Sequence, residues 1–274
     1  MLPNKYSITF ACYNAVDHTK LCIDSMIKYG TPLDRLVVVD NGSTDNTYEY
    51  LQQLPLGACI YNQQNWGCGV AWNQGVLAIQ SEWSIIMNND VIVSPNWIEN
   101  LIFIAEQNGL KVVSPALIEG QLDYDFDSFS KEAQKKMYHT LRIGARHAVC
   151  LAVHRSVWSD VGYFQPVPRL LGFEDTLFFQ ELSKYKTPTA MTGASWLHHF
   201  GSITQNLMKM ERGLNQQEGL SDRNNFKLLK QTWFERKLKK LRKRTQHRRW
   251  RLQEINQHGM SIHGLRENEN FLWI

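Results

Sequence analysis

Four short apolar runs punctuate the first ninety residues, and each stops abruptly at polar side chains. Ser7 to Cys12 gives way to Tyr13-Asn14, and Leu36 to Val39 gives way to Asp40-Asn41. Ala58 to Tyr61 stops at Asn62, and Trp83 to Met87 stops at Asn88-Asn89-Asp90. The continuous runs Leu36 to Val39 and Ile85 to Met87 predict strands of a sheet buried on both faces. Ser7 to Cys12 alternates and is β-prone, and Ala58 onward predicts a third strand. The intervals between them have helical spacing. Leu21, Ile23, Met26 and Ile27 predict a helix from Asp17 to about Tyr29, stopped by Gly30 and Pro32. A second helix is predicted from Asn46 to about Leu54, capped by Ser43 or Thr44, and a third from the glycine-rich stretch 65–75 to about Gln80. Strand and helix alternate four times, which predicts a parallel, doubly wound sheet with right-handed crossovers.

The second half is less regular. Val91-Ile92-Val93 precedes Ser94-Pro95, which has the form of a cap and first turn, and Asn96 to Asn108 has a helical pattern. Lys111 to Ala116 and Ala148 to His154 predict strands, and Ser156 to Val161 a short helix. Glu174-Asp175 opens an amphipathic helix, where the dipole favours negative charge. Trp196-Leu197 ends a last strand at His198-His199. Residues 119–140, with Asp123-Tyr124-Asp125-Phe126-Asp127, read as a loop, either a lid over the strand ends or a solvated surface segment.

In open α/β sheets ligands bind just outside the carboxyl ends of the strands. Tyr13, Asp40, Asn41, Asn62 and Asn88-Asn89-Asp90 stand at such ends and would converge on one crevice. The Asp90 carboxylate suits a hard divalent cation, and the Asn88 and Asn89 amides suit sugar hydroxyls or phosphate oxygens. A plain polar turn leaving a strand accounts equally for that triplet taken alone. Adjacent carboxylates such as Glu174 and Asp175 can divide labour, one orienting and one acting as base, or can serve only the helix terminus. The turn around Gly67 and Gly69 can hold a phosphate, but its spacing lacks the third glycine of a dinucleotide fingerprint.

Composition is that of an ordinary globular protein, with 43% hydrophobic and 20% charged residues in 274. Cys12, Cys22, Cys59, Cys68 and Cys150 are scattered and have no C-x-x-C spacing, so reduced thiols are expected. No apolar stretch is long enough to span a membrane, and Met1 to Tyr6 lacks a signal-peptide apolar region, so a cytoplasmic location is expected. Charge changes the picture more. Residues 223–251 hold thirteen Lys or Arg and one acid, a net +12, which leaves −8 on the rest of a chain whose total is +4. Phe226, Leu229, Trp233, Phe234, Leu238 and Leu241 recur at three- and four-residue spacings there, predicting a basic amphipathic helix. Its stripe could lie on the inner face of an anionic membrane through residues 222–256, on the body of the protein, or on a second copy in an oligomer. Nucleic acid is a weaker partner, since no recognised nucleic-acid module accompanies the charge.

Taken together, these stretches resemble the inverting family 2 glycosyltransferases of GT-A fold, in particular their rhamnosyltransferase-like branch. The resemblance spans roughly residues 6–205. It is carried by I-T-F-A-C-Y-N (8–14), V-V-V-D-N-G-S-T-D (37–45), N-W-G-C-G-V-A-W-N-Q-G (65–75), M-N-N-D-V (87–91), G-F-E-D (172–175) and H-F-G-S-I-T (199–204). It implies an α/β fold, a Rossmann-like GT-A domain with a mostly parallel central sheet flanked by helices over residues 1–220. A basic helical extension over residues 221–274 lies beyond the resemblance. Donor binding would fall to the Ala11 backbone, Tyr13, Asp40, Asn41, Gly67, Asn73, Asn88 and Asn89. Asp90 would bind a divalent metal, Mn2+ or Mg2+, with His199 or, one register along, His198. Asp175 would be the general base and Glu174 would position the acceptor or the base. The implied partners are a UDP- or dTDP-sugar and a glycan or lipid-linked acceptor. The motif has one carboxylate where many relatives have two, so the donor diphosphate would bring much of the negative charge. A nucleotidyltransferase and a non-catalytic sugar-nucleotide-binding protein are the rival readings. The first normally carries a basic glycine-rich loop after strand one, which Tyr13-Asn14-Ala15 does not offer.

Overall fold

The structure, a computed structural model, describes residues 4–166, 174–201, 203–211, 213 and 233–274. Its first part follows the hydrophobic pattern. β1 (Tyr6–Cys12), α1 (Val16–Lys28), β2 (Leu36–Asp40), α2 (Thr47–Leu51), β3 (Ala58–Tyr61), α3 (Cys68–Ala78) and β4 (Trp83–Asn88) alternate, and the strands lie parallel in the order β4-β1-β2-β3. Ile8, Phe10, Val38, Ile85 and Met87 pack on one face with Ile23 and Met26 of α1. Ile86 packs on the other with Trp72 and Val76 of α3. Burial on both faces is why these strands read as continuous apolar runs. Gly75 fixes how closely α3 lies on β1, because a Cβ there would come within 1.8 Å of Thr9 Oγ1.

Beyond β4 the sheet is mixed. β5 (Val91–Val93), α4 (Trp97–Gln107), β6 (Val112–Gly120), α5 (Phe126–Met137), β7 (Leu141–Ile143) and β8 (Cys150–His154) follow, with β8 antiparallel between β4 and β6. After α6 (Ser156–Asp160) and α7 (Glu174–Lys184), the long β9 (Thr189–His199) runs parallel to β6 and antiparallel to β5 and β7. Its register on β6 shifts between Pro115 and Ala116. Proline cannot donate to a ladder and marks such irregularities. The chain then forms α8 (Ile203–Glu211), α9 (Trp233–His258), β10 (His263–Glu267) and β11 (Asn270–Trp273).

Three expectations are corrected. Residues 119–140 are not a loop over the crevice, because they contain α5. The Asp125 side chain caps it by accepting from the Ser128 N–H. Phe126, Ala133 and Met137 bury its apolar face against Trp196 and Ile118, away from the strand ends. Ser94 is not a helix cap either. Its hydroxyl accepts from the Trp196 N–H at 3.1 Å and from Gln134 Nε2 at 3.0 Å, and α4 starts after Asn96 in the left-handed region. Finally, the last residues are not helical, since β10 pairs parallel with β6 and β11 closes the sheet edge. Phe226 and Leu229, together with Gly172 and Phe173, lie outside the described residues. All five cysteines are free thiols, as expected.

Candidate active site

The parallel ladder brings the strand ends level. Ala11 pairs with Asn88 on one side and Val39 on the other, and Cys12 pairs with Asp40. A cavity of about 1110 Å³ runs along this edge. Ala11, Tyr13, Asn41, Asn88, Asn89 and Asp90 line one side, and Gly67, Glu174, Asp175 and His199 complete the predicted set that reaches it. Asp40, Asn73 and His198 are not among the lining residues.

Asp90 and His199 meet because of a short antiparallel ladder. Val91 pairs with His199, and the Phe200 N–H donates to the Asp90 carbonyl at 3.0 Å. His199 Nε2 stands 3.2 Å from Asp90 Oδ1 and 3.3 Å from the Asn88 amide nitrogen. Burial by itself would push the Asp90 carboxyl up, but the His199 bond and charge, aided by the Ile203 N–H at the start of α8, hold it below its usual value. For His199 burial acts downward, and Asp90 outweighs it and raises the imidazole. The pair therefore favours opposite charges. The neighbouring His198 points elsewhere: Tyr124 Oη lies 3.0 Å from its Nδ1, Phe126 and Phe200 pack on its ring, and burial lowers it to about 4. His199, and not His198, is thus the imidazole beside Asp90.

α7 brings Glu174 and Asp175, at its start, to the same cavity. Burial raises the Asp175 carboxyl, against the Thr176 N–H, which donates to Oδ1 at 2.7 Å. A carboxyl with raised affinity for a proton, facing a cavity, suits general-base work. Glu174 is buried beneath it, and a Cβ on Gly69 would come within 3.0 Å of the Glu174 side chain. The glycine-rich turn thus admits the start of α7 against α3, while Gly67, at φ +90°, turns the chain into that helix.

The donor end is braced by amides. Asp40 Oδ1 accepts from the Ser43 N–H at 2.9 Å, closing the Asn41-Gly42 turn. Asn41 donates to the Gly67 carbonyl at 3.3 Å and accepts from Asn62 at 2.9 Å, and Asn62 and Gln74 exchange two further bonds. The Asn73 side chain instead clamps Phe164, donating to its carbonyl at 2.7 Å and accepting from its N–H at 3.1 Å. Its place here is structural. Asn89 donates to Thr19 Oγ1 at 2.9 Å, fixing α1 to the β4–β5 turn. Tyr13 Oη and Asn14 Nδ2 both donate to Glu211 at the end of α8.

Sequence reasoning missed one wall altogether. Lys239, Arg242, Lys243, Gln246, His247 and Trp250 of α9 line the same cavity, with Arg146 nearby. Their spacing of three and four residues was readable as one face of a helix.

The profile of Glycosyl transferase family 2 matches residues 7–161, more than half of the chain. The chain belongs to that family. Among curated proteins it is similar to the uncharacterized glycosyltransferase YibD of Escherichia coli (strain K12), 29% identical over 113 residues, which is 40% of this chain and 33% of that one. It also resembles the glycosyltransferase GlyG of Streptococcus pneumoniae serotype 4, 26% identical over 39% of this chain and 37% of that one. The matches thus span about a third of the length of these relatives. Among solved structures, GalNAc-T7 with UDP, GalNAc and Mn2+ superposes with a TM-score of 0.56 at 15% identity, over 72% of this chain and 44% of that one. Staphylococcus aureus TarS 1–349 gives 0.54 at 16%, over 75% and 64%. The mannosyltransferase PcManGT of Pyrobaculum calidifontis, in complex with GDP-Man and Mn2+, gives 0.54 at 15%, over 76% and 60%. At such identities the likeness is one of fold: a GT-A-like α/β sheet flanked by helices. Residues 7–161 thus form a family 2 glycosyltransferase domain on a GT-A-like sheet.

Proposed function

We propose that this glycosyltransferase is inverting and metal-dependent, and moves a sugar from a UDP- or dTDP-linked donor to a hydroxyl of a surface glycan or lipid-linked acceptor. The reading rests on one juxtaposition: the Asp90–His199 pair and the Asp175 carboxyl, its proton affinity raised, line one cavity. A carboxylate and an imidazole 3.2 Å apart suit a divalent cation such as Mn2+ or Mg2+. Among the described residues no cluster of three or more such ligands exists, so the donor's phosphate oxygens would complete the shell. When bound, the cation neutralises charge that develops on the departing nucleoside diphosphate. Asp175 accepts the proton of the acceptor hydroxyl, which attacks the anomeric carbon in line with the departing phosphate and inverts its configuration. Ala11 and Tyr13 border the place for the base, Asp40 would meet it from behind the Asn41-Gly42 turn it closes, and Asn88 and Asn89 border the phosphate end.

A panel of UDP-, dTDP- and GDP-sugars, assayed for Mn2+-dependent donor hydrolysis and for product anomer, tests the reading. Hydrolysis restricted to pyrimidine donors, lost in excess chelator, is expected. A preference for GDP-sugars, or retention of configuration, would overturn the corresponding part.

One further observation favours peripheral membrane contact. Phe234, Leu238, Leu241 and Leu252 are all exposed and share one face of α9, flanked by Lys and Arg. A basic helix with such a stripe suits an anionic lipid surface.

A further inference from the structure

At 100° per residue, the cavity-facing positions of α9 centre roughly 140° around the helix from its exposed leucines, so the two faces serve different partners. Lys239, Arg242 and Lys243 are the α9 cations that line the cavity, which Arg146 and Lys209 line from other elements. Among the described residues none of them has a carboxylate within ion-pair distance. Three unneutralised cations along one wall hold a field that a mobile anion would satisfy. That wall shares its cavity with Asp175. Lys243 acts through space on the Asp175 carboxylate, whereas the strand ends expected to take the nucleotide are covered by α8, through Glu211 on Tyr13 and Asn14. Deeper along the same face the half-buried Trp250, whose ring also meets Arg142 and His247, lines the cavity and offers apolar surface to a pyranose, and Gln246 an amide for its hydroxyls.

We propose that the acceptor is an acidic saccharide, bound with its phosphate or carboxylate oxygens on Lys239, Arg242 and Lys243 and its ring against Trp250. The inference rests on Asp175 being the base, since that places the acceptor beside α9. An oxyanion on this wall brings a neighbouring hydroxyl towards Asp175, and a neutral glycan gains only the stacking contact. Charge-assisted bonds of this kind contribute about 1.5–3 kcal/mol each, so a single one separates acidic from neutral acceptors by about tenfold or more.

The full chain, with UDP and Mn2+ present, is applied to an array of matched glycans: each neutral saccharide beside the same saccharide carrying a phosphate, and beside its uronic-acid form. Retention of one or both acidic forms, about tenfold above the neutral one, is expected, and which form is retained identifies the anion. K239A/R242A should lose that preference while UDP affinity, measured by calorimetry, stays unchanged. K240A/R244A removes equal charge from positions outside the cavity and should bind like wild type. Equal retention of neutral and acidic forms, retention of neither, or equal losses in both double variants would overturn the proposal. So would a fall in UDP affinity in K239A/R242A, because the cations would then serve the donor. Failure of wild type to bind either UDP or dTDP would count against the glycosyl-transfer reading itself and is scored separately.

Discussion

Asp175 is shielded from water by the same burial that raises its affinity for a proton. Its carboxylate is the reactive form, so the rate should fall as pH drops through a pKa lying above the usual carboxylate value, and rise above it. Asp175→Asn keeps the shape and removes the basic oxygen. Turnover should drop by about 10²–10⁴ with donor affinity preserved, and the acid limb of the pH–rate profile should disappear. Turnover within about threefold of wild type would place the base elsewhere. Asp90 answers a different question. Its carboxylate is the lone acid of the N-N-D triplet, and removing it strands His199, so Asp90→Ala should abolish turnover and Mn2+-dependent UDP binding together. Undiminished transfer by that variant, or full wild-type activity in excess chelator, would rule out the metal role. The residues themselves were readable from their motifs. Their pairing was not, because Asp90 and His199 are far apart in the chain and meet only through the β5–β9 ladder, which also turns His198 into an aromatic pocket.

Elements buried on both faces were the legible ones. β2 and the part of β4 from Ile85 to Met87 read as apolar runs because both faces are buried, and β1 reads as β-prone although Ser7 and Thr9 are buried within it. α5 was hidden by its own cap: Asp123, Asp125 and Asp127 give the segment a loop's composition, although Asp125 is there to hold the first turn. β10 and β11, the latter at the sheet edge, were hidden because they are short, carry polar and charged residues and lack the buried run. What binds them is the buried pair of Arg142 and Glu254, two bonds of 2.8 and 2.9 Å between side chains only 0% and 5% exposed. Glu254 also accepts from the Ile262 N–H, and Arg142 also donates to Ser261 Oγ and the Ile274 carbonyl. Glu254→Ala leaves a guanidinium buried without its counter-charge, a change that costs about 3–5 kcal/mol. Denaturant melts should show that loss, and an Arg142→Met/Glu254→Leu double variant should recover part of it. A loss below about 1 kcal/mol in the single variant would mean that the end of the chain is not anchored through this pair.

Across the whole molecule α9 joins the body at one end and presents two faces along its length. Trp250 packs in the cluster that also holds Met260 and Ile262, so the helix is tied to the sheet through β10. This changes how membrane contact must be tested. Deleting the segment from 222 onward would remove Met260 and Ile262 from the core, exposing the α5–β9 side they cover, and a lower melting temperature is expected whether or not the protein touches lipid. Phe234 and Leu241, at 69% and 61% exposure, have no such packing role, so Phe234→Ser/Leu241→Ser should leave the melt unchanged. If the outward stripe lies on membranes, the wild-type chain should sediment with vesicles containing anionic lipid, less so as salt screens the attraction, and the double variant should stay in the supernatant. Sedimentation unaffected by the double variant, or none by wild type, would leave the outward leucines without a lipid role. Retention of UDP binding by the double variant would show that the outward face and the cavity face of α9 act independently.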